Sequence, residues 1–140
     1  MILDPEMLVD FVTEIKALEA ELKVPVLSLK TNLDQPKMFE KFGQVIDRIY
    51  GTAATLGFAE LATYCGTLKK TCYDCSAANN KRGQVRVLGL METCLENLDA
   101  LIKGVHDPEA QKKLTHVLHL ECQKAKKLHE EVFKFTTKAA

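Results

Sequence analysis

A chain of 140 residues, 46% hydrophobic and 27% charged, is long enough to bury one substantial core, and a single helical domain over 1–140 is expected. Its 19 basic and 19 acidic residues cancel, so no overall field draws nucleic acid or anionic lipid to the surface, and neither is expected as a partner. No run approaches the roughly 18 apolar residues that span a bilayer, and Met1-Ile2-Leu3-Asp4-Pro5 has neither the basic stretch nor the apolar run of a leader, so a cytoplasmic location is expected.

Apolar residues recur at helical spacing almost from end to end, and sustained apolar–polar alternation is absent, which predicts an all-α fold. A first helix opens with Asp4 as cap and Pro5 in its first turn, and carries Leu8, Phe11, Ile15, Leu18, Leu22, Val26, Leu29 and Leu33 on one stripe. Pro25 removes a backbone donor from its middle, so a kink or a break at Val24 is expected. A second helix starts near Pro36 with Asp34 or Gln35 as cap. It buries Phe39, Phe42, Val45, Ile46, Ile49, Ala53 and Leu56 and ends at Gly57.

The third helix, from about Phe58 to Ser76, puts Leu61, Cys65, Leu68, Cys72 and Cys75 on a common face. A polar loop is expected over Ala77 to Gly83. The fourth carries Val87, Leu88, Met91, Cys94, Leu95, Leu98, Leu101 and Ile102 and closes at Gly104. Asp107-Pro108-Glu109 opens the fifth as Asp4-Pro5-Glu6 opened the first, and Leu114, Val117, Leu118, Ala125, Leu128, Val132 and Phe135 form its apolar face. Short connections favour antiparallel neighbours, so an antiparallel up-and-down four-helix bundle of helices two to five, with an additional N-terminal helical segment, is the expected architecture. At 1.5 Å per residue the first and fifth helices would reach roughly 40 Å and the others roughly 30 Å. Their overhanging apolar ends then need a fold-back at Pro25 or a second copy of the chain, making a homodimer, to cover them.

Residues 47, 50, 51 and 54 fall on one stripe of the second helix. The segment Asp47-Arg48-Ile49-Tyr50-Gly51-Thr52-Ala53-Ala54-Thr55-Leu56-Gly57 resembles the signature of the histidine phosphotransfer family, His-x-(Leu/Ile)-Lys-Gly-(Ser/Thr)-Ala-x-x-Leu-Gly, with Ile49, Gly51, Thr52, Ala53, Leu56 and Gly57 in register. The likeness is most specific over Val45 to Cys72, where Gly57-Phe58-x-x-Leu61 is similar to the family's turn into its next helix, and weaker from Phe11 to Ile102. Asp47 stands where the family carries its phosphate-accepting histidine, and Tyr50 where it carries a lysine. A carboxylate has no ring nitrogen to phosphorylate and repels a phosphoryl group at neutral pH. The resemblance therefore implies a degenerate, non-catalytic member: a pseudo-phosphotransfer domain of bacterial two-component signalling. It would bind a receiver domain or a histidine kinase without a cofactor or a metal.

Family members dock receivers through the surface around their histidine. Here that surface comprises Lys41, Gln44, Asp47, Arg48, Tyr50, Gly51 and Ala54, with Tyr50 as a flat aromatic anchor and Lys41, Gln44 and Arg48 as a polar rim. A solvated face inherited from a working ancestor is the plainer alternative.

Two rival functions belong to other classes. One is a dimerising scaffold built on the long first and fifth helices. The other is a thiol sensor or metal binder through Cys72 and Cys75, with Lys69 and Lys70 near enough in sequence to lower a thiol pKa. Five cysteines, an odd number, suit reduced thiols better than a disulfide framework, and Cys65, Cys72 and Cys75 share the stripe of Leu61 and Leu68, where cysteine packs as a small hydrophobe. His116 and His119 are expected to point away from the fifth helix's apolar face while Cys122 and His129 flank it, so no converging metal set is anticipated. Glu121, in the middle of that face, needs a partner, with one from elsewhere in the bundle as the ordinary expectation.

Overall fold

Five α-helices make up nearly all of residues 4–133, the part that the computed structural model describes, and no strand occurs among them. They are α1 (Pro5–Thr31), α2 (Pro36–Leu56), α3 (Ala59–Ala78), α4 (Lys81–Lys103) and α5 (Pro108–Leu128), the last running into a π-helical turn over His129–Phe133. Phe135, expected on the apolar face of the fifth helix, lies outside the described residues.

Short polar side chains fix where the helices begin. The carboxylates of Asp4 and Asp107 accept from the amides of Met7 and Glu109 at 2.9 and 3.0 Å, and Asn80 Oδ1 accepts from Gly83 at 2.9 Å, caps worth about 1 kcal/mol each. Gln35 precedes α2 but does not cap it. Its amide instead donates to the carbonyls of Ser28 and Asn32, and its oxygen accepts from Ser28 Oγ, stitching the end of α1 to the start of α2. Gly57 ends α2 in the left-handed region at φ 80°, and the Phe58 amide donates back to the Ala53 carbonyl at 2.9 Å.

The structure sharpens three expectations about the elements. α1 passes through Pro25 as one helix without a break at Val24, with the ring itself buried. The loop anticipated from 77 to 83 shrinks to Asn79 and Asn80, because Asn79 adopts the left-handed conformation at φ 46° and Asn80 caps α4 at once. The 21 residues of α5 continue without interruption into the five-residue π-turn, so the helical run extends to Phe133, past the 21-residue length of α2.

The buried side chains form one contiguous cluster to which all five helices contribute. Phe11, Ile15, Leu18, Leu22, Val26 and Leu29 of α1 are all within it, so this middle part of the first helix's apolar stripe is covered by its own chain. Val117 proves exposed, and Leu88, Leu95, Leu101, Ile102 and Leu114 pack only partly buried at the edge of the core.

The order of packing also departs from the expected one. α1 lies against α2 and α4, α2 lies most closely against α3, and α5 rests on α3 and α4 instead of closing onto α2. Direction follows from paired residues: Glu14 and Glu21 of α1 meet Thr52 and Arg48 of α2 in reversed order, whereas Thr67 and Asp74 of α3 meet Cys122 and His129 of α5 in the same order. α1 and α2 are thus antiparallel, and α3 and α5 parallel.

Candidate functional site

The period of α2 turns Phe39, Phe42, Ile46, Ile49 and Ala53 into the core and leaves the opposite shoulder to solvent. All seven residues expected on the docking surface, Lys41, Gln44, Asp47, Arg48, Tyr50, Gly51 and Ala54, are exposed. A side chain added at Gly51 would meet no atom within 4 Å, so the clearance next to Asp47 is real space.

What sequence reasoning missed is the contribution of α3. Lys69 Nζ lies 2.9 Å from Asp47 Oδ1 and 5.1 Å from the centre of the Tyr50 ring, so one ammonium is shared between a carboxylate and an aromatic face. Tyr50 rests on Gly66 of α3, where an added Cβ would come within 3.3 Å of its ring. Reciprocally, Tyr73 of α3 rests on Gly43 of α2, where an added Cβ would stand 2.7 Å from the ring. Each helix lends a tyrosine to the other's glycine, and the Asp47–Lys69 pair sits between the two rings.

The hydrogen bond that Lys69 donates to Asp47 raises the pKa of Lys69 above its ordinary value, with burial pulling the other way and the charges of Asp47, Tyr73 and Tyr50 adding to the rise. Tyr73 is raised by partial burial first and by the negative charge of Asp47 second. The site is therefore an ion pair of Asp47 and Lys69 set between two tyrosine rings. Such a pair, half exposed, stabilises the fold by well under about 1 kcal/mol. Its effect is to hold a carboxylate and two rings in one geometry.

Arg48 turns away from this centre and clasps Glu21 of α1 with Nη1 at 3.0 and 3.1 Å from its two oxygens, while Thr52 Oγ1 donates to Glu14 at 2.9 Å. Gln44 reaches Glu40 on its own helix at 3.4 Å. The polar rim is thus tied down on the α1 side.

The remaining sequence candidates fall elsewhere. All five cysteines are free and buried. Burial pushes the thiols of Cys75 and Cys94 up to about 12 and those of Cys65 and Cys72 well above 9.0. Lys69 and Lys70 therefore do not activate Cys72 or Cys75; the Lys69 ammonium is held by Asp47, and desolvation dominates at both thiols. Glu121 is buried and finds its partner not across the core but one turn along its own helix, in Lys124 at 2.9 Å. His116 and His119 are exposed, His129 Nδ1 lies 2.8 Å from Asp74 Oδ2, and among the described residues no three His, Cys, Asp or Glu side chains gather as for a metal ion. No described helix is long and apolar enough to cross a membrane.

Compared with models of protein families, with curated proteins and with solved structures, the chain has no significant match.

Proposed function

We propose that this chain is a non-catalytic binding module of bacterial two-component signalling, a pseudo-phosphotransfer domain that grips a receiver domain or a histidine kinase with the α2–α3 face around Asp47. The observation that carries the reading is the arrangement of that face. An exposed carboxylate occupies the acceptor position of the family's signature, Lys69 contacts it at 2.9 Å, and Tyr50 and Tyr73 flank it.

On this reading α1 to α4 form the family's antiparallel up-and-down bundle and α5 is the appended helix, an arrangement supported by the packing of α1 on both α2 and α4. Asp47 cannot make a bond to phosphorus through a ring nitrogen, so the module binds phosphorelay proteins and does not relay. Two aromatic anchors presented by backbone-close contacts lose little side-chain entropy on docking, which is why affinity concentrates there.

The test is quantitative. Tyr50→Ala lowers affinity for the receiver or kinase partner at least fivefold, more than about 1 kcal/mol, while leaving the folded helical signal intact. Titration by calorimetry measures it, with wild type incubated beside an active phosphodonor to check for acid-labile phosphate. Unchanged affinity in Tyr50→Ala rejects the assigned face, and label on the wild-type chain rejects the non-catalytic role.

A further inference from the structure

The outward face of α1 carries a second regularity, independent of the Asp47 site. Thr13, Ala17, Ala20, Val24, Leu27 and Thr31 follow one another at alternating spacings of four and three residues, and all six are exposed. Val24 and Leu27 are 59% and 64% exposed, among the most open large apolar side chains in the described residues. Lone apolar residues on a surface are ordinary, but a stripe in the a and d positions of successive heptads is the seam of a two-stranded coiled coil.

The charges flanking the stripe keep the same seven-residue period. Lys16, Lys23 and Lys30 run along one side, Glu14 and Glu21 along the other. In an antiparallel pair of such helices, lysine edge would face lysine edge and glutamate edge would face glutamate edge. In a parallel pair the lysine edge of one copy faces the glutamate edge of the other, bringing Lys16 opposite Glu21 by the usual five-residue offset between flanking positions. A two-fold axis along the seam makes that contact twice. Among the described residues Lys16 makes no ion pair, unlike Lys23, which lies 3.8 Å from Glu19, and Lys30, which lies 3.5 Å from Glu92, while Glu21 is also held by Arg48 of α2 at 3.0 Å.

We infer that α1 pairs in parallel with α1 of a second copy of this chain through the Ala17–Ala20–Val24–Leu27 seam. The stripe is short, about two and a half heptads, and alanine fills half of its central positions, so the dimer forms reversibly and its population depends on concentration.

Sedimentation equilibrium of the full chain over a hundredfold concentration range tests this. The mass rises from 15.7 kDa toward twice that value, and Leu27→Glu, a change on a fully solvated face, keeps the folded helical signal and holds the mass at the monomer value throughout. Lys16→Glu weakens association. Ala20→Cys gives a disulfide-linked dimer under mild oxidation, because equivalent seam positions meet only in the parallel arrangement. A chain that stays monomeric at every concentration, a dimer indifferent to Leu27→Glu, or a dimer whose Ala20→Cys form does not crosslink overturns the proposal.

Discussion

Raising the pH from 8 to 10 is expected to remove about 5 kcal/mol of folding stability, a large share of what a domain of this size holds. The cause is the set of thiols inside the core, four of them raised furthest, with Cys122 raised by burial as well. Cys65, Cys72, Cys75 and Cys94 ionise near 9.0 once the chain is unfolded, but in the native state burial holds Cys75 and Cys94 to about 12 and the other two well above 9.0. Below pH 9 both states keep these protons and the thiols are neutral to the balance. Above it the unfolded chain releases protons that the native chain retains, so stability is lost at about 1.4 kcal/mol per pH unit for each thiol. Tyr64, raised well above 10.0 by its burial, steepens the loss at still higher pH. Lys69 acts with the same sign, its stabilisation being present below 10.5 and fading as pH rises through its elevated value. Urea unfolding at half-unit steps reads the slope, and Cys94→Ala, although less stable overall, should show it reduced by about a quarter. A flat profile from pH 8 to 10 would mean that the thiols are not packed as described.

The second large effect concerns phosphate. Replacing both departures from the family's signature would seem necessary to rebuild an acceptor, with histidine at 47 and lysine at 50. The position of Lys69 changes that expectation. Its ammonium already reaches the side chain at 47 and lies over the ring at 50, so in an Asp47→His variant α3 would supply a cation to steady phosphoryl oxygens. Asp47→His alone is expected to take up acid-labile phosphate from a phosphorylated receiver or an active kinase, where wild type takes none. Adding Lys69→Met should slow that uptake by roughly 100-fold, the scale of losing one positioned charge from a transferring group. Equal rates with and without Lys69 would remove it from the site, and no uptake by Asp47→His would detach this surface from the phosphotransfer resemblance.

Much of the helical layout was legible in the sequence because it is written in local terms. Asp4-Pro5 and Asp107-Pro108 announce helix starts through capping and a fixed φ, Gly57 announces an end through a left-handed backbone, and the 3.6-residue period separates Phe39, Phe42, Ile46 and Ile49 from Asp47 and Tyr50. The partners of helices were less legible. The apolar stripe of α1 indicates that it is buried but not against what, and its place between α2 and α4 depends on how several helices pack at once. Asn79 and Asn80 concealed a two-residue connection within a run that reads as loop, since asparagine serves equally as a left-handed stop and as a cap.

Half of the candidate site was missed for a similar reason. Lys69 and Tyr73 carry no motif, yet folding the chain about its Gly57–Phe58 turn would have found them. Phe58 is equidistant in sequence from Gly43 and Tyr73, from Asp47 and Lys69, and from Tyr50 and Gly66, so an antiparallel α2–α3 pair brings each couple level. The glycines are the readable part of that signal, because a tyrosine can lie against the facing helix only where a side chain is missing.

The central claim is that phosphorelay proteins dock on the α2–α3 face around Asp47. It is tested most directly by following backbone amide resonances of the wild-type chain as purified receiver and kinase domains from its source are added one by one. The account predicts that at least one of them shifts Gln44, Asp47, Tyr50, Gly51, Lys69 and Tyr73 together while α5 stays unchanged. Shifts confined to α4 or α5, or no response to any receiver or kinase domain, would contradict it.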